Sequence, residues 1–261
     1  MSYYGRINGG KRFLVANNDK IESVEFVHQP VICKDTHEIL YFEQLARFQN
    51  TNGRIRHTQT IIEWFEVTGE IVPLDLYSFE TAISALSAYE DINIGINISG
   101  ATLSNKDACE KIVNRLLSVP KICPRLYVEV TETHSISNML YAAEFAGALD
   151  GMGVQMVLDD FGEGNSTALY LSVLSPAIVK LRITSGGRPS ADLIEKASLA
   201  RTYGAGVVVE GIECAEDKLA FPMALVDFYQ GYLTGQPESL QHWLNAKQET
   251  AQKIAGRAGG S

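Results

Sequence analysis

Positive charge is scarce in this chain. Lys and Arg number 22 against 31 Asp and Glu, a formal net charge of −9 over 261 residues. A broad nucleic-acid or membrane surface needs clustered cations, so both partner classes are disfavoured. A small anionic ligand held by metals and a few local cations stays open. Cysteine is also sparse. Cys33, Cys109, Cys123 and Cys214 lie far apart, and none forms C-x-x-C. That removes the usual zinc and redox patterns and suits a reducing compartment. No apolar run approaches the roughly 20 residues that span a bilayer, and no basic-then-apolar leader opens the chain. The expectation is a cytoplasmic domain standing alone. Internal repeats and low-complexity linkers are missing too.

What is present is alternation. Residues 1–20 read as a polar lead-in, 21–245 as the folded domain, and 246–261 as a flexible tail. Residues 24–33 and 38–48 read as strands around a K-D-T-H turn, a hairpin. Helical spacing follows in "TIIEWFEVTG" and "LYSFETAISALSAY". From there strands and helices take turns: "INIGINIS", a single helical stretch over 101–119, "RLYVEVTE", a helix ending at a glycine, "VQMVLDD", a short helix, "AIVKLRI", "SADLIEKASLARTYGAG", "VVVEGI", "CAEDKLAFPMAL" and "DFYQGYL". Eight strand candidates interleaved with helices predict a parallel α/β sheet. At this length the sheet closes into a TIM-like (β/α)8 barrel, here with an antiparallel first strand.

The segment "MVLDDFGEGNST", Met156 to Thr167, carries the chemistry. A strand ends in two adjacent carboxylates, and a glycine-rich loop adds a third acid, Glu163. Like charges so close raise one another's pKa unless a cation sits among them. A metal site explains them; a solvated turn is the alternative. The other strand ends bear similar residues: Glu43, Asn97, Glu129, Asp159 with Asp160, Lys180, Glu210 and Gln230. In a barrel these ends share one mouth. Five acids, amides and a lysine converging there call for divalent cations, and oxygen ligands favour Mg²⁺ or Mn²⁺ over Zn²⁺. Two such ions about 3.5–4 Å apart, sharing a carboxylate, suit in-line phosphodiester hydrolysis. Lys180 could orient or deprotonate the attacking water, or stabilise the charged transition state. Each residue alone has a plainer reading: Glu43 an exposed strand residue, Asn97 a helix cap, Asp159-Asp160 a turn, Lys180 a rim charge. Their joint placement at successive strand ends carries the argument.

The same segments resemble the EAL domain family, whose members hydrolyse cyclic di-GMP to pGpG. The resemblance covers about residues 24–238. "HQPV" resembles the family's Q-P-I opening, and "FEQLAR" (42–47) its E-A-L-x-R, with Gln44 for alanine. "VTGEIVPLD", "INIS" and "VEVTET" follow in the family's order. "DDFGEGNST", "VKL", "VEGIE" and "YQGYLTGQP" complete the series. The resemblance implies a barrel that often dimerises. It implies that Glu43, Asn97, Glu129 and Asp159 hold one metal, and that Asp159, Asp160 and Glu210 serve a second. Lys180 becomes the catalytic lysine, and Glu132 the glutamate that steadies the D-D-F-G loop. Gln29, Leu45, Arg47 and Gln230 become substrate or metal-water contacts.

One departure matters. The family's K-x-D reads Lys180-Leu181-Arg182 here. Residues two apart in a strand share a face, so Arg182 stands beside Lys180. Its guanidinium can pair with Asp160 or Glu163 and displace the second cation; the alternative is that it folds back onto the loop with both metals kept. Two functions follow: a metal-dependent cyclic di-GMP phosphodiesterase, or an impaired domain that binds cyclic di-GMP or a protein partner as a regulator. A barrel enzyme for another phosphodiester is a third.

Overall fold

The computed structural model describes residues 5–7, 10–12, 21–50, 58–131, 136–162, 167–184, 186–187 and 189–258. Two short strands, β1 (Gly5–Ile7) and β2 (Gly10–Arg12), pair antiparallel within the polar lead-in. The long hairpin follows as β3 (Ile21–Cys33) and β4 (Ile39–Asn50). Helices α1 (Thr58–Thr68) and α2 (Ile71–Ala88) lead to β5 (Ile94–Ile98).

Residues 101–119 do not make one helix. They contribute to α3 (Gly100–Leu103) and α4 (Lys106–Leu117). The break has a local cause: the Asn105 side chain accepts from the Ala108 amide and caps a fresh helix. An asparagine that bonds the backbone this way favours a helix start over its interior.

Strand β6 (Leu126–Thr131), α5 (Met139–Gly151), β7 (Gln155–Asp159), α6 (Thr167–Leu174) and β8 (Ile178–Arg182) continue the alternation. Then come α7 (Ala191–Thr202), β9 (Gly206–Glu210), α8 (Ala215–Ala220) and β10 (Phe228–Tyr229). The helical reading of 214–225 shortens to α8 and a separate 3₁₀ turn at Met223–Leu225, with Pro222 between. The final helix, α9 (Leu240–Ala258), runs through the segment that the sequence reading assigns to a flexible tail. The Trp243 indole donates to the His28 carbonyl at 2.7 Å, and its ring meets Phe42 at 5.6 Å. These contacts, made by a residue inside the range read as the folded domain, seat the start of α9 against the hairpin.

Eight strands close in the order β10-β3-β4-β5-β6-β7-β8-β9. Strand β3 runs antiparallel to both neighbours, and every other pairing is parallel. The architecture is therefore the TIM-like barrel with an antiparallel first strand. Strands such as "GVVVE" are apolar on both faces because one face meets the helices and the other fills the barrel. Val31, Tyr41, Tyr127, Val157, Ile178 and Val208 plug the interior, with the Tyr41 and Tyr127 rings stacked at 4.3 Å. The main core lies between the strands and their surrounding helices, and a smaller one joins the outer hairpin to α1 and α2. Above the interior plug the strands end in polar residues, and the site begins there.

Candidate metal centre

Lys180 stands two residues before the end of β8 and is almost wholly buried. Its Nζ lies 2.7 Å from Glu129 Oε2, 3.1 Å from Glu43 Oε2, 3.2 Å from Asp159 Oδ1 and 2.6 Å from Glu210 Oε1. The four acids come from β6, β4, β7 and β9, so the closed barrel alone assembles the cage. Glycine at 95 makes room for it. A Cβ there would run into Glu129 Oε1 and the Tyr41 ring.

Amides order the acids. Asn97 Nδ2 donates to Glu43 Oε1 at 2.9 Å, and Gln230 Nε2 donates to Glu43 Oε2 at 2.6 Å. Burial pushes the Glu43 carboxyl up, but Lys180 and these two amides outweigh it and hold its pKa below the ordinary value. Glu129 goes the other way. Burial first, then the Glu43 charge, raise its pKa well above the usual range. Asp159 is pushed up to about 8, by burial and then by the charges of Glu210, Asp160 and Glu43. Burial works against the Lys180 charge, yet the acids, Asp159 foremost, keep it an ammonium with a pKa well above the lysine norm.

Arg182 forms a second layer. Its Nε and Nη2 lie 2.9 and 2.8 Å from Asp160 Oδ1, and Nη2 lies 2.9 Å from Glu210 Oε2. The contact with Glu210 is an ion pair without hydrogen-bond alignment. Burial opposes the guanidinium charge, and Glu210 and Asp160 more than restore it. Asp160 adopts φ +50°, and its amide donates to Asp159 Oδ1 at 3.0 Å. The Phe161 amide donates to the Lys180 carbonyl at 3.0 Å and ties the start of the loop to β8.

The centre is short of positive charge. Among the described residues, Glu43, Glu129, Asp159, Asp160 and Glu210 pair with two cations, Lys180 and Arg182. Their oxygens form two groups, Glu43–Glu129–Asp159 and Asp159–Asp160–Glu210, with ligand atoms in each within 4.8 Å of one another. Asp159 belongs to both. Glu129 Oε1 is buried with no hydrogen-bond partner. An all-oxygen donor set, excess negative charge and a bare buried carboxylate oxygen fit hard divalent cations.

The predicted substrate contacts line the mouth. A cavity of about 370 Å³ is bordered by Gln29, Leu45, Arg47, Lys180, Gln230 and Tyr232. A second, of about 230 Å³, reaches from Leu45, Arg47 and Asn97 towards Phe26, Thr58 and Asp75. Glu43, Asp159 and Arg182 border both. Gln29 is turned aside, donating to the Gly235 carbonyl at 3.0 Å, and Arg47 Nη1 donates to the Ala46 carbonyl at 2.9 Å. Glu132 and Glu163 lie outside the described residues.

Some supporting residues escape the sequence reading. Buried Asp75, the last residue of "VTGEIVPLD", accepts from the Ser99 amide at 2.8 Å, Ser99 Oγ at 2.7 Å and Thr102 Oγ1 at 2.6 Å. It thereby anchors the chain two residues beyond Asn97. The signal was the aspartate closing an otherwise helical, apolar motif. Lys196, on α7, donates to the Gly162 carbonyl at 2.7 Å while pairing with Asp192 at 2.6 Å. Gly162 has φ +100°, and a Cβ there would strike the Lys196 side chain. No sequence signal links Lys196 to that loop.

The EAL domain profile matches residues 16–237 of this chain. The signaling protein YkoW of Bacillus subtilis is 26% identical over 90% of the chain and 32% of its own length. The cyclic di-GMP phosphodiesterase PdeL of Escherichia coli is 28% identical over 80% of the chain and 61% of its own length. The chain thus spans less than two thirds of either relative. Among solved structures, a phosphodiesterase named PaMucR, in complex with c-di-GMP, superposes with a TM-score of 0.72 at 24% identity. That match covers 84% of this chain and 99% of the other, and it supports the fold.

Proposed function

The chain belongs to the EAL domain family, and from that premise we propose that it is a metal-dependent phosphodiesterase opening cyclic di-GMP to pGpG. The observation that carries this reading is the sharing of Asp159 between two carboxylate groups around a buried lysine. Relatives named cyclic di-GMP phosphodiesterases support the choice of substrate.

Glu43, Asn97, Glu129 and Asp159 would hold one cation, and Asp159, Asp160 and Glu210 a second, with Mg²⁺ or Mn²⁺ suited to both. When bound, such ions polarise phosphoryl oxygens and activate water. The residues of the chain do the rest. Asn97 and Gln230 fix the Glu43 carboxylate by their amide donors. Arg47, Gln29 and Leu45 border the cavity that would receive the dinucleotide. Water oxygen bonds to phosphorus, the bond from phosphorus to the ribose 3′ oxygen breaks, and that oxygen leaves with a proton. Lys180, fixed as an ammonium, meets the negative charge that gathers during this exchange. Glu132 is assigned to steadying the loop after β7, and Glu163 to modulating it.

The second reading is a domain that binds cyclic di-GMP or a protein partner without turnover. The Arg182 pairing with Asp160 and Glu210 favours it, since both acids are needed for the second cation. A homodimer in the cytoplasm completes the proposal. Among the described residues no helix is long and apolar enough to cross a membrane.

Incubating the protein with cyclic di-GMP and Mg²⁺ or Mn²⁺, with an EDTA control, tests the reading by chromatography. Metal-dependent pGpG is expected. Saturable binding without product overturns the enzyme in favour of the receptor, and neither product nor binding overturns both nucleotide readings and moves the function to a protein partner.

A further inference from the structure

The two cation positions are unequally guarded. Among the described residues, the one cation paired with the Glu43–Glu129–Asp159 group is the Lys180 ammonium, which all its members share with Glu210. In the Asp159–Asp160–Glu210 group, two of three acids are also held by Arg182. The register brings these residues together. Arg182 pairs with Glu210 across the parallel β8–β9 ladder, and Asp160 follows directly on β7. The guanidinium places two nitrogens on one Asp160 oxygen and one of these also on Glu210. It remains charged at any relevant pH, so it leaves only by moving away. Movement is open to it: its side chain is 50% exposed, whereas Lys180 is 1% exposed. The guanidinium borders both cavities of the mouth and has space to turn into.

We propose that Arg182 is a built-in counter-ion for the second cation position, so that the centre fills in two unequal steps. The first cation enters the Glu43–Glu129–Asp159 group. The second must displace the guanidinium from Asp160 and Glu210, and its apparent affinity falls accordingly. The inference rests on reading the centre as a two-cation site. It deepens that reading by assigning this chain a metal-concentration threshold set by one side chain. Between the two filling levels the chain would hold one cation and a closed arginine clasp. Within that range turnover would follow free metal rather than nucleotide.

Mn²⁺ titration of the metal-free full chain, without nucleotide, reads this directly through the electron paramagnetic signal of free Mn²⁺. Wild type, R182A and R182Q are compared, with D159N as control. The wild type is expected to take one ion firmly and a second at least about tenfold more weakly, as loss of two charge-assisted contacts implies. Both Arg182 variants are expected to tighten the second step about tenfold or more and to move the first by less than about threefold. The half-exposed position of Arg182 favours folding of both variants, and coincident circular dichroism spectra verify it. Two equal sites in the wild type, unmoved in R182A and R182Q, overturn the proposal while leaving the two-cation reading intact. A wild-type isotherm identical to that of D159N overturns the two-cation reading and the proposal with it.

Discussion

Lys180 Nζ and Glu129 Oε2 lie 2.7 Å apart inside the barrel mouth, and neither side chain has appreciable contact with solvent. The lysine is the only cation that reaches Glu43, Glu129, Asp159 and Glu210 together among the described residues. Removing one partner of a buried pair leaves the other charge uncompensated, at about 3–5 kcal/mol. The K180M protein should therefore melt well below wild type in EDTA. Divalent cations should recover part of the loss, because they supply charge to the same acids. Turnover should fall roughly 10²- to 10³-fold even with metal restored, the scale of losing one transition-state donor. Thermal melts with and without Mn²⁺, beside a product assay, check all three outcomes. Equal melting of both proteins in EDTA would remove the lysine from its structural role.

Asp75 gives the site a pH-dependent anchor. Burial raises its pKa to about 6, against the opposing hydrogen bonds from Thr102 and Ser99. Below the unfolded value near 3.8, folded and unfolded chains both hold the proton. As pH rises from there towards 6, the folded chain binds more protons than the unfolded one, so this group's contribution to stability falls. By pH 8 the loss is complete, at roughly 3 kcal/mol or less. D75N should flatten that part of the stability profile while keeping an acceptor oxygen for Ser99 and Thr102. D75A orphans those donors and should cost about 3 kcal/mol across the range. Denaturant melts between pH 4 and 8 separate the two; an unchanged slope in D75N would contradict the assignment.

Gly95 is required by space rather than by backbone conformation. The methyl of G95A would enter the volume of Glu129 Oε1 and the Tyr41 ring. Overpacking of this kind costs typically about 1–3 kcal/mol. The displaced oxygen is also a candidate ligand, so metal affinity should fall along with stability. Mn²⁺ titration of G95A against wild type checks this, and unchanged affinity would show that Glu129 does not contribute through that position.

The legible part of this protein is the part written in local pattern. Strands such as "GVVVE" and "IVKLR" announce a barrel because they are mostly apolar and end in charge. Their terminal acids, with Lys180, meet where the topology puts them. Strand period puts Arg182 beside Lys180, and the fold then chooses its partners, Asp160 and Glu210. Three features stay hidden because they depend on distant partners. Helix α9 continues past residue 245 into the stretch read as a tail, and its docking through Trp243 onto His28 and Phe42 has no local signal. Asp75 looks like a helix surface residue until Ser99 arrives from another strand end. Lys196 looks like an ordinary helix charge, and only the fold brings it under Gly162.

The sharing of Asp159 between two cation positions is most directly tested by the steady-state turnover of cyclic di-GMP by wild type and D159N at saturating Mn²⁺. The wild type should yield one pGpG per cyclic di-GMP consumed. D159N should lose at least about 10³-fold, since one substitution removes a ligand from both positions. Comparable turnover in D159N, or no product from a wild type that binds two Mn²⁺ ions, would contradict the account.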